Sequence, residues 1–196
     1  PFYMAWDYEL KDQFSWDHPT GIDHLLPAQH ALVRWRDTFQ GTGVLQWRAG
    51  AGAWQTIDAA AELSKGYAYW QTPGIATPAQ LRMLIGAKAF VTDVFTISSP
   101  MAFDLAYNCK GSVRLHWAQQ TAFSAYQIHS LNKQGLQLHT TTYDTSAVLP
   151  ADGYYFTIIP VFPNGKTAMP AITQSFQHQL PACFVNNESR PYQVYP

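Results

Sequence analysis

The chain carries one repeated pair of residue types that could bind a metal ion. Asp17-His18 is followed six residues later by Asp23-His24, so two carboxylates and two imidazoles lie close together in sequence. Imidazoles and carboxylates are common zinc ligands, and carboxylates also bind calcium. The spacing matches no common site, however, and the Pro-Thr-Gly run at 19–21 is typical of a solvated loop. We therefore predict that no metal binds here.

Three further histidines, His116, His129 and His139, fall at strand-like positions of the second half. Because core-type residues alternate with them, we expect these imidazoles to face solvent rather than to form a shared site. The sequence has no GxSxG nucleophile elbow, no HExxH zinc motif and no phosphate-cradling glycine loop. We predict a protein that is not an enzyme, with no catalytic residues, no metal and no cofactor.

The seven tryptophans raise the question of carbohydrate binding, because flat aromatic rings stack on sugars. Alternation places Trp35, Trp47 and Trp117 at core-facing positions, where large rings fill an interior. The tryptophans without such an assignment are Trp6, Trp16, Trp54 and Trp70. A glycan is therefore a candidate partner, with these four side chains as its candidate platform.

The composition excludes two classes of partner. Twelve Lys and Arg residues are balanced by thirteen Asp and Glu residues, with no basic run, so we predict no binding to nucleic acid. The longest apolar runs are far shorter than the roughly 20 residues that cross a bilayer, so we predict no membrane insertion. Charged residues make up only 13% of the chain and aromatic residues 15%. Because the chain opens with Pro1, we interpret it as a piece of a larger protein.

The two cysteines, Cys109 and Cys183, are too far apart for a CxxC metal or redox motif. Either both are buried thiols, or they form a single disulfide. A disulfide would place the protein in an oxidising compartment.

Short runs rich in β-branched and aromatic side chains, separated by Gly and Pro turns, fill the second half. We predict strands at 112–117, 125–131, 137–143, 154–162 and 170–176. Val113, Leu115 and Trp117 fall on one face at a period of two, opposite Arg114 and His116. This half is therefore expected to be all-β.

The first half shows a similar but less regular pattern. We predict strands at 31–35, 44–48, 53–57, 66–70, 80–85 and 90–97. Residues 57–65 are the one helix-like stretch, and Asp58 near an N-cap position with Gly66 as a stop predicts a helical turn between strands. The run Ser98-Ser99-Pro100 is typical of a short linker, so we place a domain boundary there.

The second half resembles the fibronectin type III modules of large secreted proteins from Bacteroidetes-type bacteria. The resemblance lies in CKGSVRLHW at 109–117, SAYQI at 124–128, YFTIIPV at 155–161 and the Asn-Gly pair at 164–165. The first half, with VLQWR, AWQTI, YAYWQTP, QLRMLI and DVFTI between residues 44 and 97, is similar to immunoglobulin-like modules of the same kind of protein.

The resemblance implies an all-β fold of two consecutive antiparallel β-sandwiches, immunoglobulin-like and then fibronectin type III-like. The expected divisions are 1–20 as an aromatic N-terminal arm or the end of a preceding domain, 21–99 and 100–183 as the sandwiches, and 184–196 as a tail or linker. The expected core residues are Trp35, Trp47, Trp117, Tyr126, Ile128, Phe156 and Ile158.

The same resemblance implies a non-catalytic structural or adhesive module of a larger extracellular or cell-surface protein. Its partners would be neighbouring domains of that protein or identical subunits. The leading alternative is an accessory or carbohydrate-binding module of a secreted hydrolase, because this architecture hosts many roles.

The topology of a fibronectin-type sandwich also implies a cysteine pairing. Its first and last strands run toward the same end of the module. Cys109 precedes the second strand of the module and Cys183 follows the last, so we expect a disulfide between them.

The first 20 residues carry more large rings than a seven-strand module needs. These rings are Phe2, Tyr3, Trp6, Tyr8, Phe14 and Trp16. Left exposed, they would form an apolar patch of the size that marks an interface, so we expect a neighbouring domain or another copy to cover them. If this arm added as a strand to a sheet edge of the next identical subunit, the contact would be head-to-tail. Such a contact does not close into a ring, so it would generate a fibre.

Overall fold

A computed structural model of the chain describes residues 12–109, 111–150 and 155–175. The chain divides into two compact units, Pro1–Ser99 and Pro100–Pro196. The predicted interface rings Phe2, Tyr3, Trp6 and Tyr8, together with Cys183 and the tail at 184–196, lie outside the described residues.

The described part of the first unit is built almost entirely of strands. They are β1 (Phe14–His18), β2 (His24–Leu25), β3 (His30–Asp37), β4 (Thr42–Ala49), β5 (Gln55–Glu62), β6 (Tyr67–Gln71), β7 (Thr77–Ile85), β8 (Lys88–Val91) and β9 (Phe95–Ile97). One sheet has the order β1-β3-β6, and the other has the order β2-β9-β7-β4-β5 with β8 also paired to β7. All pairs are antiparallel except β2 with β9.

The period of two along these strands explains why they form a sandwich. In β3, Val33 and Trp35 are buried while Leu32, Arg34 and Arg36 are exposed. One buried cluster joins side chains from both sheets. Its members are Leu25, Val33, Trp35, Leu45, Ala61, Leu63, Trp70, Ala79, Leu81, Met83, Phe95 and Ile97. Apolar side chains of both sheets are therefore buried in one shared core, and this burial is the main source of stability for such a fold.

The structure differs from the sequence-based prediction for the N-terminal arm. Residues 14–18 form β1, which pairs with β3. Phe14 stacks on Phe90 with ring centroids 4.7 Å apart, and Trp16 meets Trp35 edge-on at 6.4 Å. These two rings thus belong to the first unit, because the sheet offers them an apolar surface without help from another chain.

The helical turn predicted for 57–65 is much shorter in the structure. Strand β5 continues to Glu62, and only Leu63–Lys65 form a 3-10 helix, which ends at Gly66 in the left-handed conformation with φ 69°. The cross-strand partner β4 holds residues 57–62 extended, although Ala-rich sequence alone favours a helix.

The second unit follows the same two-sheet plan. Its described strands are β10 (Phe103–Cys109), β11 (Ser112–Trp117), β12 (Ala125–Asn132), β13 (Gly135–Thr142), β14 (Ser146–Pro150), β15 (Tyr155–Val161) and β16 (Gln174–Ser175). They form sheets in the orders β10-β11-β14 and β13-β12-β15-β16, all antiparallel. The all-β fold of two consecutive sandwiches is confirmed.

The core of the second unit is aromatic. Trp117 from one sheet meets Tyr126 from the other edge-on, with ring centroids 5.3 Å apart. The side chains of Trp117, Tyr126, Ile128, Phe156 and Ile158 are each no more than 2% exposed. In the first unit Trp35 is equally buried, whereas Trp47 is half-buried and packs on the edge of the core.

Within the described residues, no helix is both long and apolar enough to cross a membrane.

Candidate binding cleft

The two Asp-His pairs do not come together as a metal site. The Asp17 carboxylate accepts a hydrogen bond from Arg36 Nε at 2.8 Å, which holds the pKa of Asp17 below its ordinary value. His24 lies instead against Thr96, with Nδ1 2.6 Å from the threonine hydroxyl. Across the described residues, no group of three or more His, Cys, Asp or Glu side chains could hold a metal ion.

Asp23 organises the loop before β2 rather than a ligand site. Its Oδ2 accepts hydrogen bonds from the backbone N–H and the hydroxyl of Thr20, at 2.6 and 2.9 Å, and lies 3.2 Å from His18 Nδ1. Burial alone would raise the pKa of Asp23, but these contacts outweigh it and keep the pKa low. The ionised form therefore stabilises the loop above its pKa, and that contribution is lost as the pH falls through it.

The three strand histidines differ from one another in exposure. His116 and His139 are exposed, as the alternation predicts. His129 is half-buried, and its Nε2 is buried with no hydrogen-bond partner among the described residues. Burial lowers the pKa of His129. The difference arises because its β13 neighbour in the register is Leu138, so an apolar side chain lies beside the ring.

The candidate glycan tryptophans are not free platforms. Trp70 is buried between Trp47 and Phe95, and Trp16 packs on the core. Trp54 is half-buried, with the guanidinium carbons of Arg48 and Arg82 at 4.5 and 4.3 Å from its ring centroid. Trp6 lies outside the described residues. The protein therefore uses the described tryptophans for packing and for cation–π contacts.

An open surface cleft lies instead on the outer face of the sheet β1-β3-β6. We call it the Tyr-Arg cleft. It has a volume of about 470 Å³ and is lined by Asp17, Leu32, Arg34, Trp35, Arg36, Lys65, Gly66, Tyr67 and Tyr69. Apart from the buried Trp35, the residues of β3 and β6 that line it occupy outward positions of the alternating pattern.

The cross-strand register sets the geometry of the Tyr-Arg cleft. Arg34 lies opposite Tyr67, and Leu32 lies opposite Tyr69. The two tyrosine rings meet edge-on with centroids 5.9 Å apart. The left-handed Gly66 lets the 3-10 helix turn into β6, and its carbonyl accepts the Trp35 N–H at 3.0 Å. Lys65 and Gly66 of that turn therefore line the cleft.

The lining of the Tyr-Arg cleft carries more positive than negative charge. Arg36 is paired with Asp17, and Lys65 Nζ lies 2.6 Å from the Glu62 carboxylate. Within the part of the chain that the structure describes, the Arg34 side chain makes no hydrogen bond or close ion pair, although its charge helps to lower the pKa of the nearby Asp17 carboxyl. The arrangement can therefore hold an anionic group at Arg34 beside two aromatic rings.

Sequence reasoning missed this site, although the signal was present. The alternating run of Leu32, Arg34 and Arg36 and the pair Tyr67 and Tyr69 each mark an outward strand face. Only the pairing of β3 with β6 brings the two faces together.

Solved structures resemble the chain at low similarity. A two-domain fibronectin type III segment of chicken tenascin is 13% identical with a TM-score of 0.41, and the match covers 83% of this chain and 95% of that chain. A chain of a cytokine receptor complex is 12% identical with a TM-score of 0.44, and the match covers 83% of this chain and 93% of that chain. The FN1-FN3 domains of chicken CNTN1 are 12% identical with a TM-score of 0.31, and the match covers 84% of this chain and 64% of that chain. No family model and no curated protein sequence matches the chain. The fold assignment accordingly rests on the strand orders described above.

Proposed function

We propose that the chain is a non-catalytic structural or adhesive module of a larger extracellular or cell-surface protein. The observation that carries the proposal is the Tyr-Arg cleft, where Tyr67 is 44% and Tyr69 is 69% exposed on a rigid sheet. Tyrosine and arginine are the residue types enriched at protein interfaces and their energetic centres. Large rings held outward beside Arg34 and Arg36 are therefore suited to recognition rather than to packing within the unit.

Two sequence features support the extracellular setting. The second half resembles modules of large secreted proteins from Bacteroidetes-type bacteria, and the expected disulfide between Cys109 and Cys183 needs an oxidising compartment. The alternative, an accessory module of a secreted hydrolase, shares this extracellular setting. It differs in requiring a catalytic domain elsewhere in the same protein.

Protease treatment of intact cells that produce the full-length protein tests the location. We expect added protease to remove the epitope of this chain while a cytoplasmic marker survives. Equal protection of both would contradict the proposal. A glycosidase or protease domain in the same reading frame would favour the hydrolase alternative.

Assembly with identical subunits is the second part of the proposal, and an apolar face of the second unit supports it. Leu131 of β12 lies between Leu136 of β13 and Tyr155 of β15 in the register. These side chains and Leu138 are 40 to 54% exposed. Because β13 is the terminal strand of its sheet among the described residues, the face continues to a sheet edge, and such edges are sites where another chain can pair.

Light scattering on three forms of the chain tests assembly. Residues 1–196 are expected to associate, and replacement of both Leu136 and Leu138 by serine is expected to reduce the associated mass. The third form starts at Asp12 and keeps β1, so the first sheet stays complete. It tests whether the aromatic residues before Asp12 contribute to association. Monodisperse monomers for all three forms would rule out self-assembly.

A further inference from the structure

Among the described residues, Arg34 is the lining cation of the Tyr-Arg cleft whose side chain is not engaged in a close ion pair, and it acts on Asp17 only through its charge. The other two lining cations, Arg36 and Lys65, each contact a carboxylate of the same unit. Arg34 is exposed on β3, the central strand of the sheet, and its cross-strand neighbour on β6 is Tyr67. A guanidinium in this setting presents a planar set of donors that fits a carboxylate or a sulfate.

The tyrosines supply the second half of the binding chemistry. Tyr67 and Tyr69 stand nearly perpendicular, with an interplanar angle of 77°, so together they form a corner beside Arg34. Leu32, 39% exposed, lies opposite Tyr69 and extends the apolar floor. A ligand that fits this corner has a flat C–H surface for the rings and an anionic group for Arg34. Each tyrosine also offers a hydroxyl for a polar ligand edge.

We infer that the Tyr-Arg cleft binds an acidic saccharide, whose carboxylate or sulfate contacts Arg34 and whose ring lies against Tyr69. The inference rests on the proposed adhesive function and names the ligand class of that site. A volume of about 470 Å³ is within the range of small-ligand sites. The contacts come from side chains on a preformed sheet, so little ordering is needed on binding.

An acidic peptide is less well matched to this position. Extended peptides gain much of their affinity by pairing their backbone with a free sheet edge. Arg34 stands on β3, which is paired on both sides, with β1 and with β6. Among the described residues β6 is an edge strand of this sheet, and a peptide added to that edge would lie beyond Tyr67 and Tyr69, one strand farther from Arg34. At Arg34 itself only side chains are offered to a ligand. A saccharide requires no more than that.

Titration calorimetry of the 196-residue chain with four probes tests the inference. The probes are an oligogalacturonate tetramer, a heparin tetrasaccharide, neutral maltotetraose and tetraglutamate. We expect at least one acidic sugar to bind, and Arg34→Gln and Tyr69→Ala each to weaken that binding about tenfold or more. Raising NaCl from about 0.05 to 0.5 M should weaken it as well. Oligogalacturonate carries carboxylates alone, whereas heparin carries both carboxylates and sulfates. Binding of oligogalacturonate would therefore show that a carboxylate is sufficient, and binding of heparin alone would show that sulfate is required.

Matched controls come from the second unit. Arg114→Gln and Tyr143→Ala remove an exposed arginine and a tyrosine that is 78% exposed, and they should leave binding unchanged. The inference is overturned if no acidic sugar binds, if maltotetraose or tetraglutamate binds as tightly, or if the control variants weaken binding as much as the cleft variants do. Because all four positions are exposed, unchanged melting temperatures are expected. The cell-surface test is independent, so a surface protein without sugar binding would refute only this inference.

Discussion

Replacement of Trp117 by alanine is expected to unfold the second unit while the first unit stays folded. Trp117 is 2% exposed and packs on Tyr126 from the opposite sheet. Truncation of a buried tryptophan removes its transfer free energy and leaves a cavity, which together cost about 3 to 5 kcal/mol. That loss approaches the whole stability of a small domain. Hydrogen exchange followed by mass spectrometry measures the protection of each unit separately, because each peptide comes from only one of them. Loss of protection is expected in peptides of the second unit alone.

Trp117→Phe is the matched control for this prediction. The indole Nε1 of Trp117 is buried with no hydrogen-bond partner among the described residues, so phenylalanine removes an unsatisfied donor while it keeps one ring. We expect a markedly smaller loss than for alanine. An alanine variant that melts within a few degrees of the parent would show that Trp117 does not support the core.

Loss of the expected disulfide should have an effect of similar size. In the chain-entropy account, a bond that closes the loop from Cys109 to Cys183 stabilises the second unit by about 4 to 5 kcal/mol, less any strain. The described strands suit this pairing. Cys109 lies in register with Ser112, which pairs with Pro150. Strand β15 starts five residues after Pro150, and its first residue pairs with Ser175, so these positions share one end of the unit.

Cys183 follows Ser175 by eight residues, a distance that an extended chain spans at up to roughly 26 Å. Alkylation of the denatured protein without reductant, followed by intact-mass measurement, is expected to add no label. Two labels would exclude the bond. Cys183→Ser should then lower the denaturation midpoint of the second unit only, and a reduced parent protein should match the variant.

Strands with strict alternation could be predicted from the sequence. Residues 112–117 are bounded in the structure as they were predicted, because Val113, Leu115 and Trp117 all face the core. Tyr126 and Ile128 on β12 were assigned to the interior by the family resemblance, and they are buried.

Other strands escaped prediction because pairing, not composition, defines them. Strand β2 has only two residues and exists through its parallel contact with β9. Strand β14 carries exposed Val148 and only one fully buried side chain, Leu149, so its pattern is weak. Of the predicted strand at 170–176, the described residues form a strand only at Gln174–Ser175, although the Ala171 N–H also donates to the Ile158 carbonyl at 2.8 Å.

The Tyr-Arg cleft could not be predicted for a related reason. Arg34 and Tyr67 are 33 residues apart in sequence and neighbours in the register. A single strand shows which side chains face outward, but only the sheet order shows which outward residues meet.

The parallel contact between β2 and β9 has a mechanical consequence for a protein anchored at both ends. The backbone N–H of Ser98 donates to the Leu25 carbonyl at 2.9 Å, and that of Thr96 donates to Asp23 at 3.2 Å. Tension along the chain pulls these two strands in opposite directions, so their hydrogen bonds are loaded in shear and must break together. In the second unit the first described strand, β10, and the last, β16, belong to different sheets. Under a steady pull we therefore expect the second unit to extend first and the first unit to hold.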